Sequence, residues 1–265
     1  VKSYFRYVQK YKSLTTCKAM ISIGKTLRIL PRVDSTNNYA MAQIRAGLAH
    51  HGDGWFALEQ TAGKGQRGKG WETQPGANII VSLALQPLWL QVSRQFYLSA
   101  AIALGCYDFF CSFAGEETSI KWPNDIYWRD RKAGGILIEN LLAGDSWQFA
   151  VVGIGLNINQ TLVPDSLANP VSLRQITGRE WDVQELVKEL CRCLQLRYGQ
   201  LEQTNEFPVD YNRVLYKRGA TVRLKKESRV FEAVIQGVTT GGELVVEAGT
   251  EEKFGFGEVQ WILGD

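Results

Sequence analysis

The segment TAGKGQRGKGW, residues 61–71, decides how the rest of the chain is read, because its glycines fit two phosphate-loop patterns while its neighbours fit neither. Gly63-x-Gly65-x-x-Gly68 is the dinucleotide fingerprint, and Gly63-x-x-x-x-Gly68-Lys69 is the triphosphate loop. Both need a strand before the loop and a helix after it, since the helix N-terminus supplies amides and dipole to the phosphates. Here WFALEQ (55–60) reads as a strand, Pro75-Gly76 closes the loop, and NIIVSLAL (78–85) reads as a second strand. Gly70 also stands where a triphosphate loop places a Ser or Thr for magnesium. A kinase-type glycine loop does join two strands, but the chain lacks H-R-D and D-F-G and offers only Trp128-Arg129-Asp130 in another setting. What remains is a strand-to-strand loop whose Lys64, Arg67 and Lys69 have no acid among them. Such a loop is either a lid for an anionic ligand or a solvated cationic hairpin.

Working outward, DSTNNYAMAQIRAG (34–47) predicts a helix capped by Ser35 or Thr36, carrying Tyr39, Met41, Ile44 and Leu48, with Gly47 as a stop. An apolar helix is expected from about Arg94 to Ala114; Ser99, Asp108 and Ser112 within it favour a buried helix over a membrane span. SIKWPNDIYW and GGILIENLL read as short strands around turns, and WQFAVVGIGLNIN as a long strand paired through Ala143-Gly144-Asp145-Ser146. WDVQELVKELCRCLQLRYGQLE (181–202) sets Val183, Leu186, Val187, Leu190, Leu194 and Leu201 near one helical stripe, which implies core packing. From Val214 the texture changes to the short alternating strands TVRLKK, RVFEAVIQGV, GELVVEA and EVQWIL, with Gly-rich turns such as Thr240-Gly241-Gly242. The predicted fold is α+β: a mixed, mostly antiparallel sheet flanked by helices, followed by a small barrel-like unit.

Composition excludes several function classes. With 265 residues, 45% hydrophobic, the chain has enough material for one large domain with a small second one. A net charge of +3 is too balanced for nucleic-acid binding by bulk electrostatics, so any anion site is local. Five cysteines (Cys17, Cys106, Cys111, Cys191, Cys193) contain no C-x-x-C and read as reduced core thiols, Cys191 and Cys193 lying on different helix faces. Only His50 and His51 are present, which leaves little material for a His-rich metal site or a Ser-His-Asp triad. The first thirty residues have no secretory layout, so a cytoplasmic location is the default.

Two further motifs carry chemistry. In KWPND (121–125) a lysine ends a short strand between Ile120 and Trp122, which points to an ammonium held at a cleft. A fixed cation there suits developing phosphate or oxyanion charge; the bland reading is an ordinary Pro-Asn-Asp turn. DRKAGGILIE (130–139) and GIGLNIN (153–159) place glycines within strands, which marks close backbone approach by a ligand, though each alone is weak.

In this order and spacing, DSTNN, EQTAGKGQRGKGW, GANIIVSLAL, IKWPND, RKAGGILIE and VVGIGLNIN closely resemble the biotin protein ligases, from about Arg32 to Asn159. The resemblance implies a class II synthetase-like catalytic domain over 1–210, residues 1–30 being an N-terminal extension of uncertain role. It also implies an SH3-like C-terminal domain over 211–265. Biotin and ATP would be substrates, magnesium would accompany the phosphates, and the acceptor would be a lysine of a biotin carboxyl carrier protein. By position, the resemblance assigns biotin contacts to Ser35, Thr36, Asn37, Gln60, Lys64, Gly65, Gln66 and Lys121, with Lys121 also catalytic. It assigns nucleotide contacts to Gly63, Arg67, Gly68, Asn124, Lys132 and Asn157, with Asp125 in the turn beside the lysine, and no protein metal ligand.

Two departures stand out. The family loop commonly reads G-R-G-R-R-G, whereas Lys64 and Gln66 replace its first two arginines here, removing a bidentate fork and a charge. Some relatives also carry a DNA-binding helix-turn-helix of roughly sixty residues, and no clear recognition helix precedes Arg32; no DNA or membrane partner is expected, and homodimerisation stays open. Two alternatives remain open as well. One is a lipoate-type acyl-protein ligase, whose usual R-R-x-S-G-G-type loop is absent here; the other is a non-catalytic biotin-responsive binding protein.

Overall fold

A computed structural model of the chain describes residues 23–161 and 169–262. Cys17 and most of the predicted N-terminal extension lie outside the described residues. The main sheet has seven strands in the order β1-β2-β3-β7-β6-β5-β4. These are β1 (Leu27–Leu30), β2 (Gly54–Ala57), β3 (Ile79–Leu85), β4 (Thr118–Lys121), β5 (Asp125–Trp128), β6 (Arg131–Ala143) and β7 (Ser146–Leu156). β1 runs parallel to β2, and every other pair in the sheet is antiparallel. The mixed, mostly antiparallel sheet is thus as predicted, while β1 falls within the stretch read as an extension, and β6, at 13 residues, is far longer than expected.

Both faces of this sheet are covered, which is why β3 reads as a continuous apolar run and all seven of its residues are buried. Ile79, Val81, Leu83 and Leu85 of β3, with Val152, Ile154 and Leu156 of β7, belong to the large core under helices α2 (Gln95–Ala114) and α4 (Val183–Thr204). The opposite face carries a smaller cluster of Ala40, Ile44, Trp55, Ala84 and Val151, built around helix α1 (Thr36–Arg45).

Helix α1 starts at Ser35 as its N-cap, but the hydroxyl makes no capping bond. Gly47 takes a positive φ of 69° just past the C-cap, and Leu48, expected to be carried by the helix, lies beyond it and is exposed. Helix α2, among the described helices the one long and apolar enough to cross a membrane, packs against α4 and the sheet. Helix α4 is capped by Asp182, which accepts bonds from the Gln184 and Glu185 amides. Its predicted stripe is buried, and so are both Cys191 and Cys193: α4 is enclosed on more than one side, so two helix faces do not here mean core and solvent. Cys111 is half-buried, a departure from a uniform set of core thiols.

Two short helices, α3 (Leu173–Thr177) and α5 (Asp210–Arg213), complete the described helices. Helix α5 leads into a second sheet, order β11-β10-β9-β8-β12, formed by β8 (Thr221–Lys226), β9 (Arg229–Val238), β10 (Leu244–Glu247), β11 (Glu251–Phe254) and β12 (Gln260–Ile262). All its pairings are antiparallel, as a small barrel-like unit requires; β11 (EEKF) was not anticipated.

Candidate active site

Alternation along the strands places the chemistry on the face that carries α1. One cross-strand row reads Ile80, Gly155, Gly135, Asp125 and Lys121, crossing β3, β7, β6, β5 and β4. The adjacent row reads Trp55, Ser82, Gly153 and Leu137. Glycines at 135, 153 and 155 strip side chains from the centre of the sheet, leaving a backbone floor with polar groups at both ends.

At the α1 end, Ser82 is the one polar residue in an apolar strand, and it is fully buried. Its hydroxyl lies 2.7 Å from Thr36 Oγ1 and 2.6 Å from Asn37 Oδ1. The Thr36 backbone amide and hydroxyl both donate to Gln60 Oε1, at 2.8 and 3.1 Å. Asn37 Nδ2 donates to Glu139 Oε2 at 2.7 Å. Ser35, Thr36 and Asn37 are all buried. Side chains tied this closely hold their donors and acceptors fixed, which suits a small polar ring system such as a cyclic urea.

At the other end, Lys121 Nζ donates to Tyr127 Oη at 3.2 Å and lies 4.9 Å from the Tyr127 ring centroid and 5.4 Å from that of Trp261. Burial lowers its pKa to about 8; Asp125 opposes that shift, and the charges of Lys132 and Lys69 add to it. Lys132 bonds Asp125 at 2.7 Å, so the row ends in two ammonium groups and one carboxylate. An anion placed here would meet a partly desolvated cation, whose attraction water screens least.

The glycine loop folds across this floor. Lys64 and Gly70 form a bridge, Gly65 N donates to Lys69 O at 2.7 Å, and Trp71 N donates to Gly63 O at 2.9 Å. Gly63 is packed so tightly against Trp71 O and Gln60 Nε2 that no side chain fits there. The Trp71 indole then lies on the floor: a Cβ at Gly155 would stand 2.5 Å from Trp71 Cε2, and one at Gly135 would stand 3.5 Å from Cζ3. Trp71 Nε1 is buried with no hydrogen-bond partner among the described residues, and Lys132 Nζ is 5.8 Å from its ring.

The structure therefore brings Ser35, Thr36, Asn37, Gln60, Gln66, Lys121 and Lys132 to one face, Gln66 by a 3.4 Å bond from Nε2 to Ile136 O. Lys64 lines a cleft with Asn38, Met41, Arg45 and Glu139, the last being the residue that accepts from Asn37. Asn124 and Asn157 are engaged by the backbone: Asn124 Nδ2 donates to Ile136 O, and Asn157 Nδ2 donates to Lys132 O and Val171 O. They brace β6, the strand that carries Lys132 and Gly135. Gly68 has a positive φ of 76° with open space around it, a turn glycine. Arg67, expected at the nucleotide, has its guanidinium against Phe256 and Gly257, in the turn between β11 and β12.

Sequence reasoning missed Ser82, Glu139, Trp71, Tyr127 and Trp261. Ser82 was visible as the lone polar residue in IIVSLAL, and Glu139 as the third member of the alternation begun at Gly135. Nothing local in the sequence marked Trp261, which reaches Lys121 from 140 positions away.

Comparison with known proteins gives the same outline. Residues 29–157 match the model of the "Biotin/lipoate A/B protein ligase family". A biotin--[acetyl-CoA-carboxylase] ligase of Mycobacterium tuberculosis is 30% identical over 206 residues, covering 76% of this chain and 75% of that protein. The bifunctional ligase/repressor BirA of Escherichia coli is 32% identical over 188 residues, 70% of this chain; the match spans only 57% of the length of that longer protein. Among solved structures, a biotin protein ligase from Aquifex aeolicus in complex with biotin and ATP superposes with a TM-score of 0.76 at 24% identity, covering 91% of this chain and 100% of that one, which establishes the fold.

Proposed function

The chain belongs to the biotin/lipoate A/B protein ligase family, among its biotin protein ligases, and from that premise we propose that it activates biotin with ATP and transfers it to a carrier-protein lysine. In the first step a biotin carboxylate oxygen attacks the α-phosphorus of ATP, giving biotinyl-5′-AMP and expelling pyrophosphate. In the second, the carrier lysine amine attacks the acyl carbon, an amide forms, and AMP leaves.

The observation that carries this reading is the row across the sheet. A fixed donor-acceptor cluster (Thr36, Asn37, Gln60, Ser82) stands at one end, a glycine floor in the middle, and a partly desolvated ammonium, Lys121, at the other end. Biotin has a ureido ring at one end and a carboxylate at the other, and the row matches both. Lys121 neutralises carboxylate and α-phosphate oxygens in the first step and steadies the carbonyl oxygen in the second. Lys132, braced by Asp125, adds charge for the nucleotide, and the Trp71 face beside it offers a stacking surface for a base. The loop 61–71 acts as the lid.

Among the described residues, no three His, Cys, Asp or Glu side chains are placed to hold a metal ion. In this reading magnesium accompanies the ATP phosphates as the substrate's counter-ion. The catalytic unit is assigned to 1–210 and the SH3-like unit to 211–265, with a biotin carboxyl carrier protein as acceptor and the cytoplasm as the place of work. Pyrophosphate release from ATP with biotin or with lipoate as the acid tests the reading, run with wild type and Lys121→Ala beside calorimetry of biotin binding. Biotin-dependent pyrophosphate release in the wild type alone is the expected result; release with lipoate and none with biotin would overturn it.

A further inference from the structure

We propose that Phe256 and Gly257, in the turn between β11 and β12, form a seat for the Arg67 guanidinium and so hold the lid closed, Phe256 acting as a positioning residue from outside the substrate cleft. The lid's tip is a 3-10 turn, Gln66–Gly68, in which Arg67 adopts a left-handed φ of 55°. That conformation, uncommon for a side-chain-bearing residue, points the arginine out of the floor. Its Cζ lies 6.0 Å from the Phe256 ring centroid.

A Cβ built on Gly257 would stand 2.7 Å from Cζ, 2.7 Å from Nη2 and 3.0 Å from Nη1. Three guanidinium atoms nearly equidistant from one point mean that the plane lies broadside on Gly257, so a side chain there would displace it, and the φ of 85° at Gly257 opposes a side chain as well. Phe256 in turn meets Trp122 edge-on, with centroids 6.3 Å apart, and Trp122 Nε1 donates to Gly242 O at 2.9 Å. The seat is thereby fixed to the segment that carries Lys121. Phe256 is 54% exposed, too open to be a core residue, and this contact gives its ring a use.

The inference rests on the reading of loop 61–71 as a lid over an acyl-adenylate, and two measurements keep the two ideas apart. The first needs no ligand. Lys64, Arg67 and Lys69 are tryptic sites, so a seated lid resists trypsin, and Phe256→Ala should be nicked within the loop roughly fivefold faster than wild type or more. Phe256→Leu, which keeps bulk but not the ring, should behave like Phe256→Ala, and Gly257→Ala should nick at least as fast. Equal nicking in wild type, Phe256→Ala and Gly257→Ala would overturn the seat whatever reaction the protein performs.

The second measurement is release of preformed biotinyl-AMP. Phe256→Ala and Arg67→Lys should each release it roughly fivefold faster, and the Phe256→Ala/Arg67→Lys pair no faster than either alone, since both break one contact. Additive effects in the pair, or unchanged release in both single variants, would overturn the seat. Failure of the wild type to form any adenylate would overturn the function instead, leaving the trypsin result to judge the seat.

Discussion

Lys121 concentrates the chemistry of this molecule because its charge is present but loosely held. A pKa of about 8 leaves the ammonium protonated at neutral pH and lets it lose its proton as pH rises through that value. Desolvation is the first cause, so the same burial that weakens the charge strengthens its pull on an anion that displaces the remaining water. If the protonated form assists the first step, kcat/KM for adenylate formation should fall above about pH 8 with a one-proton slope. In Lys121→Arg, whose guanidinium does not titrate there, that limb should vanish even though the rate is lower. Lys121→Ala should lose adenylate formation by about a hundredfold or more, as expected when a fixed charge facing the transition state is removed; near-normal turnover would remove Lys121 from the mechanism. At the opposite end, Ser82→Ala removes the one buried hydroxyl proton shared between Thr36 Oγ1 and Asn37 Oδ1. A loss of about 1–3 kcal/mol in biotin binding is expected, visible by calorimetry with kcat little changed.

Strands β6 and β7 convert sequence alternation into a binding floor. Gly153 lies under the Asn37 amide and Gly155 under the Trp71 indole, so the two glycines support the polar cluster and the lid separately. Neither has a positive φ, so alanine is tolerated by the backbone and opposed only by what sits above it. Gly153→Ala should push Asn37 off Ser82 and Glu139 and weaken biotin binding by at least about tenfold, with an overpacking cost of about 1–3 kcal/mol in stability. Calorimetry beside a thermal melt reads both, and unchanged affinity would show that Asn37 is not a ligand group. The glycines were legible in sequence as breaks in apolar strands, and so were KWPND and the lid; only the pairing register shows that Lys121, Asp125, Gly135 and Gly155 share a row. Two of the four edge strands were the least legible elements. β1 (LRIL) and β11 (EEKF) each expose half of their residues and bury at most one, so neither shows the alternation that marks an inner strand.

At the scale of the whole molecule, the second sheet belongs to the site's electrostatics as well as to its lid. Trp261 of β12 lies 5.4 Å from Lys121 Nζ, and its ring contacts Tyr216, which packs on Tyr127. The polypeptide between α4 and β8 fastens this arrangement: Tyr211 Oη donates to Pro123 O at 2.7 Å, and Leu215 bridges to Ile120 beside the lysine. Arg197 of α4 joins Asp108 of α2 to Asp210 of α5 in a largely buried ion network, so the anchor is tied into the main core. The low lysine pKa is therefore a product of two sheets meeting, and loosening their contact should raise it. In Trp261→Ala, water reaches the ammonium, the desolvation cost falls, and the charged form gains; the alkaline limb of kcat/KM should move upward from about 8 toward the ordinary lysine range. Trp261→Phe keeps an apolar ring over the lysine and should leave the limb near its wild-type position. The pH profiles of the three proteins, compared at matched folded fractions, decide the matter: a limb that stays put in Trp261→Ala would mean that the main sheet alone sets the charge of Lys121.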